Sequence, residues 1–231
     1  IREMDMFLVE DPELIPDVLY DLTHVGMAED LAAFSGAIPP FSNKLHHISI
    51  FVSGDSEDEI EFKRRLMYDE RLAKYIENGT GGIVATAQDI ERPKTSKSAD
   101  WKKGGGFEYV GSIMPVTAYA ECYRRGVEIS ERHDIPYTVV GRVIGSSHAM
   151  MFAWSYAFNR ADPATVQHAK EALHETDDLV LGLGGTIWKP AVYGQQIVME
   201  HMEPNTLQLM NNLKNMLDPN GIMNPGNWEV A

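Results

Sequence analysis

One cysteine in 231 residues, Cys122, leaves this chain unable to form an internal disulfide and fits a reducing compartment. No stretch approaches the roughly twenty apolar residues that span a bilayer, and no signal peptide is visible, so a cytoplasmic location is expected. Basic side chains are scarce: 20 Lys and Arg stand against 34 Asp and Glu, a net charge of -14. That balance argues against a nucleic-acid or anionic-membrane surface. No Gly-x-Gly-x-x-Gly follows a strand and no Walker-type loop is present, so the chain lacks a phosphate cradle. Metal-binding signatures are missing as well. His46 and His47 are adjacent rather than face-sharing, and a strand would send one to the core and one to the surface. No Gly-x-Ser-x-Gly elbow supports a serine nucleophile. The chain starts at Ile1 without a Met, and a fragment, a processed product or a piece of a larger protein is the expectation.

What is present reads as an ordinary globular protein, 44% hydrophobic and 23% charged, long enough to bury a core. Met6 to Val9 suggests a strand, and Asp11-Pro12-Glu13 opens a helix over Leu14 to Leu22. A second helix is predicted around Glu29 to Phe34, closed by Gly36 and by Pro39-Pro40. His46 to Val52 is a strand, Asp58 to Asn78 a long amphipathic helix, and Ile83 to Ala87 another strand. Between Asp89 and Gly106 the composition turns basic, with Arg92, Lys94, Lys97, Lys102 and Lys103, which indicates a long surface loop. Such a loop could guide an anionic substrate or a partner protein.

The second half repeats the order. Tyr109 to Met114 is a strand, Val116 to His133 a helix, and Ile135 to Val143 and His148 to Phe158 are strands. Asp162-Pro163 then opens a helix running to about Leu183. Two strand-helix-strand units without βα nucleotide turns predict an α+β fold of duplicated ferredoxin-like type. Its sheet would be mostly antiparallel with helices on one face.

The ending organises the rest. Leu207, Met210, Leu213 and Leu217 recur at helical spacing after Pro204-Asn205-Thr206, and Asp218-Pro219-Asn220-Gly221 stops the helix. Ile222-Met223 is expected to return to the interior before a second turn at Asn224-Pro225-Gly226. A helix followed by Asp-Pro-Asn-Gly-Ile-x-Asn-Pro-Gly resembles the ending of FAD-linked oxidases of the vanillyl-alcohol oxidase and p-cresol methylhydroxylase family. D-lactate, glycolate and D-2-hydroxyglutarate dehydrogenases share it. The usual Lys after Asn-Pro-Gly is Asn227 here.

Two further turns bear on that resemblance. Gly141-Arg142-Val143-Ile144-Gly145-Ser146-Ser147-His148 falls where the hydroxy-acid branch carries a metal-binding His-x-Gly-Asp-Gly-Asn-x-His. His148 matches the second His, but Gly141 and Ile144 replace the first His and the acid, so no metal is expected. The Gly184-Gly185 segment lacks the Glu-His pair of that branch. Trp188-Lys189 stands in for an aromatic-basic pair.

The resemblance implies one cap, or substrate-binding, domain over residues 1–231. Within it lie a first half at 1–88, a loop at 89–106 and a second half at 107–231, while the FAD-binding N-terminal domain is absent. It implies an FAD-dependent oxidoreductase, acting on CH-OH or CH groups as part of a larger protein or complex. An alcohol, alkylphenol or hydroxy acid would be oxidised by hydride transfer to flavin. Lys189, His148 and Arg142 would be catalytic, Lys189 as the cation near the flavin pyrimidine. Trp188, Tyr193 and Met151 would line the substrate, and Asn224, Gly226 and Lys189 would touch the cofactor. The implied partners are an FAD-binding domain or subunit, a small-molecule substrate and an electron-acceptor protein, with no nucleic acid, in an oligomer. The alternative, from another class, is a non-catalytic ferredoxin-like module that binds a ligand or a partner protein.

Overall fold

The computed structural model describes residues 1–23, 30–38, 43–84, 105–144 and 148–228. Its strands are β1 (Arg2–Val9), β2 (Asp30–Ile38), β3 (Asn43–Ser53), β4 (Gly81–Val84), β5 (Gly106–Pro115), β6 (Tyr137–Ile144), β7 (Ala149–Phe158) and β8 (Thr186–Trp188). They form one sheet in the order β4-β1-β3-β2-β6-β7-β5-β8. Every neighbouring pair is antiparallel.

The helices are α1 (Ile15–Thr23), α2 (Glu57–Arg65), α3 (Ala73–Glu77), α4 (Tyr119–Arg132), α5 (Pro163–Gly182), α6 (Val192–Glu200) and α7 (Pro204–Leu217). Each half therefore runs β-α-β-β-α-β, and the halves join edge to edge where β2 pairs with β6. This is the duplicated ferredoxin-like α+β fold that the element order predicts.

Alternation along the strands decides which face the helices cover. Ile48, Ile50 and Val52 on β3, Val139 on β6, and Met150, Phe152, Trp154 and Tyr156 on β7 share one core with α1, α4 and α5. Helix α4 shows why it sits there. Tyr119, Cys122, Tyr123, Gly126 and Ile129 are buried at three- and four-residue spacing, so one stripe meets the sheet and charged residues face out. The Trp154 indole donates to the Cys122 carbonyl at 3.0 Å. Closeness demands glycine at one point of this contact, because a Cβ on Gly126 would lie 2.1 Å from the Tyr137 hydroxyl. Fully burying each large apolar side chain contributes about 1.5–3 kcal/mol.

Several sequence expectations need correction. Residues 30–34 are not helical but belong to β2. Leu31, Ala33 and Ser35 alternate toward the core, and pairing with both β3 and β6 overrides the helix preference of Leu-Ala-Ala. The single helix expected over 58–78 is interrupted by a π-helical stretch at Leu66–Leu72. Helix α6 went unpredicted. Ile222 and Met223 do not return to the interior: they are 76% and 57% exposed. Most of the basic 89–106 stretch and the 145–147 turn lie outside the described residues. Among the described residues no helix is long and apolar enough to cross a membrane.

Candidate functional site

The two adjacent histidines mark the two faces of the sheet. His46 is buried on the helix side, its Nδ1 2.7 Å from the Ser35 hydroxyl, which in turn lies 2.9 Å from the Tyr119 hydroxyl. His47 points the other way and stacks on Phe34 with ring centroids 5.0 Å apart. That second face is the candidate site.

Register places a row across it: Trp188 beside Gly111, then Ala153, Val140, Phe34 and His47. The next row holds Thr186, Ile113, Met151, Arg142, Ala32 and Ser49. Tyr109 and Phe107 extend the face along β5 and remain 41% and 44% exposed. Together these make a wide apolar and aromatic wall with few charges.

Two of the cations on or beside this face, Arg142 and Lys189, differ in what they meet. Arg142 is a direct neighbour of Met151 across β6 and β7. Its guanidinium donates to both carboxylate oxygens of Asp30, Nε at 3.1 Å and NH2 at 2.5 Å. That pairing raises the Arg142 pKa further and commits the charge. Lys189 follows β8 with φ of 57°, a left-handed conformation that costs a lysine strain. Its ammonium lies 4.8 Å from the Trp188 ring centre, a cation-π contact. The indole in turn covers Gly111, where a Cβ would come within 3.3 Å of it. Among the described residues Lys189 has no acidic partner.

The residues that the sequence nominates are thus partly gathered and partly scattered. Arg142 and Met151 are adjacent, whereas β6 and β8 are three strand spacings apart, so Trp188 and Lys189 stand roughly 14 Å to one side. His148 is exposed at the start of β7, and its carbonyl accepts from the Val116 amide at 3.3 Å. Tyr193 lies elsewhere, in the helix layer, stacked on His174 of α5 with centroids 3.8 Å apart. Asn224 and Gly226 sit in the C-terminal turn, both at positive φ.

A residue that sequence reasoning missed ties that turn to β8. Gln195, buried on α6, donates from Nε2 to the Pro190 carbonyl at 3.1 Å and to the Asn227 side-chain oxygen at 3.2 Å. Its Oε1 accepts from the Trp228 amide at 2.8 Å. The Trp188-Lys189-Pro190 loop and the Asn224–Trp228 tail are therefore held by one side chain. No local signal distinguishes Gln195 from any other helical glutamine. Asp30 was equally silent, because its partner is 112 residues away. Among the described residues no three His, Cys, Asp or Glu side chains converge as a metal set.

Comparison with known proteins fits this architecture. Residues 52–228 match the family of FAD linked oxidases, C-terminal domain. The chain belongs to the FAD-linked oxidases. Among solved structures it is similar to 4-ethylphenol oxidase from Gulosibacter chungangensis, in an isoeugenol complex, with a TM-score of 0.75 at 16% identity; 99% of this chain and 54% of that one are covered. It is similar to p-cresol methylhydroxylase with substrate bound, with a TM-score of 0.74 at 15% identity, covering 99% and 52% of the two chains. Alkyldihydroxyacetonephosphate synthase follows with a TM-score of 0.55 at 13% identity, covering 97% and 45%. No curated protein is matched.

The chain spans about half the length of these oxidases. The cofactor of the FAD-linked oxidases is FAD. An apolar, aromatic wall with, at its edge, a lysine that has no acidic partner among the described residues suits a flavin ring. The sequence has no phosphate cradle to suit the pyrophosphate.

Proposed function

We propose that this chain is the substrate-binding wall of an FAD-dependent oxidoreductase acting on an apolar or aromatic alcohol or alkylphenol. A separate domain would hold the adenine and pyrophosphate of the cofactor. FAD, when bound, supplies the two-electron acceptor for the substrate's C–H bond. The chain's own residues do the rest. The face built from Phe34, Val140, Met151, Ala153 and Tyr109 excludes water and offers apolar area to a ring-sized substrate.

Lys189 carries the polar part of the argument. Among the described residues its ammonium has no acidic partner, whereas Arg142 is paired with Asp30. Laid over Trp188, Lys189 would stabilise negative charge that develops beside the wall during oxidation. The absence of the Glu-His pair and of the first metal-binding histidine supports a neutral, apolar substrate over a 2-hydroxy acid. An electron-acceptor protein and an oligomeric assembly belong to the same proposal.

The reading rests above all on one observation, the left-handed lysine held over an aromatic ring at the edge of an apolar wall. In the intact flavoprotein, Lys189→Met should slow flavin reduction by at least about tenfold in stopped-flow absorbance, the scale of one lost charge-stabilising group. An unchanged reduction rate would remove Lys189 from the site.

A further inference from the structure

The loop between β8 and α6 is short, Lys189-Pro190-Ala191, and little within it would hold the ammonium in place. Lys189 sits at a φ of 57°, a conformation that persists in a lysine only where the surroundings enforce it. The helix that follows starts at Ala191 without a side-chain cap. The restraint comes from one turn inside α6. There the Gln195 backbone amide closes the first turn on the Ala191 carbonyl at 2.8 Å. Its side chain reaches back to the Pro190 carbonyl, the residue next to Lys189, at 3.1 Å.

The chemistry of these contacts singles out glutamine. The Pro190 carbonyl needs a donor, and the Trp228 backbone amide, 2.8 Å from Oε1, needs an acceptor. A primary amide supplies both, and the two backbone groups together decide which way round it lies. The Asn227 side-chain oxygen takes a second Nε2 bond at 3.2 Å. A carboxylate would set oxygen against oxygen at Pro190, and an alkyl chain would meet none of the three partners. Gln195 is 7% exposed, so water does not replace a missing contact. Its base is fixed as well. A Cβ on Gly194 would lie 3.1 Å from both Asp177 Oδ1 and Pro190 Cβ, so this turn is packed tightly against α5 and the loop.

We propose that Gln195 is a positioning residue for Lys189, holding the ammonium over Trp188 and in a fixed relation to the C-terminal tail. The inference rests on the flavoprotein reading above. Gln195 itself reaches neither substrate nor cofactor in it and acts only through the loop. Position matters because a charge stabilises a reduced, anionic flavin only when held close to it and out of water. A loop released from its left-handed turn would carry the ammonium into solvent, where the charge is screened.

The two-electron midpoint potential of the flavin in the intact flavoprotein, measured against a reference dye, tests this without any substrate. Lys189→Met should lower it by at least about 30 mV, a tenfold change in the reduction equilibrium. Gln195→Met should shift it the same way by at least about threefold in that equilibrium, with flavin still bound. Gln195→Asn, which keeps the amide but withdraws it by one methylene, should do likewise, and it decides the matter if the methionine variant fails to fold. In the Lys189→Met background neither substitution should lower the potential further, because nothing remains to be positioned. An unchanged potential in the Gln195 variants, with Lys189→Met lowering it, would overturn the positioning role and leave the flavoprotein reading intact. Additive losses in the double variants would overturn it too, since Gln195 would then act through packing at large. Loss of flavin from the Gln195 variants alone would assign the contact to cofactor retention and overturn the proposal. An unchanged potential in Lys189→Met would remove Lys189 from the site and the proposal with it. A wild-type protein carrying no flavin would overturn the flavoprotein reading itself.

Discussion

The carboxyl of Asp177 shows how much a single buried group can set. It is 5% exposed between α5 and the first turn of α6, so close that a Cβ on Gly194 would lie 3.1 Å from its Oδ1. Burial, and then the neighbouring Asp178, push its pKa up to about 7. An unfolded aspartate titrates near 3.9, so between roughly pH 4 and pH 7 the folded chain holds a proton that the unfolded chain has released. Stability from this group is therefore complete below about pH 4, falls as pH rises to about 7, and is level above it. Asp177→Asn removes the titration while keeping the shape. Thermal melts should show the variant gaining a few degrees over the parent at pH 8 and nothing at pH 4. An equal shift at both values would exclude burial of charge as the cause.

At the scale of elements, the C-terminal helix and its turn behave as one unit. The Lys214 ammonium and the Met223 amide hold Asp218 down at about pH 2. A depressed carboxylate contributes stability that is present above its unfolded value and is lost as pH falls through the folded one. The contribution of this group to the turn should therefore be complete above about pH 4 and be lost as pH falls from there to about 2. Asp218→Ala should speed amide exchange at 222–228 by at least about tenfold, with the strands of the core unaffected. Equal exchange in parent and variant would show that Gln195 alone holds the tail. The β8 loop is the complementary case. Lys189 adopts positive φ where glycine would be easier, a strain that persists because Trp188 and Gln195 fix the chain on either side.

Taken whole, the molecule is a wide antiparallel sheet with its helices on one side and an aromatic face on the other. A flavin ring needs such a wall, whereas the rest of FAD needs oriented donors for two phosphates. No glycine-rich cradle exists in the sequence to supply them. Titrated with FAD, residues 1–231 alone should bind more weakly than micromolar by fluorescence quenching. Tight one-to-one binding would show that the cofactor is held here and not by a second domain.

How much of this was legible in advance follows from the range of each interaction. Element order, the antiparallel sheet, the capped helix starts and the C-terminal turn are local, written in hydrophobic period and in Pro, Gly and Asp positions. The Asp-Pro-Asn-Gly run was enough to point to the FAD-linked oxidases. The division of His46 from His47 followed from strand alternation alone. Strand β2 was misread because its Leu-Ala-Ala is helical by propensity, and only pairing on both sides made it a strand. The Asp30–Arg142 pair and the grip of Gln195 on two loops join residues 112, 5 and 32 positions apart in the chain. No periodic pattern records such contacts; tertiary packing created them. The repeat of Leu207, Met210, Leu213 and Leu217 was legible as a helix, but only the tertiary structure decided that none of it would be buried, because among the described residues no element packs over α7 closely enough to cover Leu213 or Leu217.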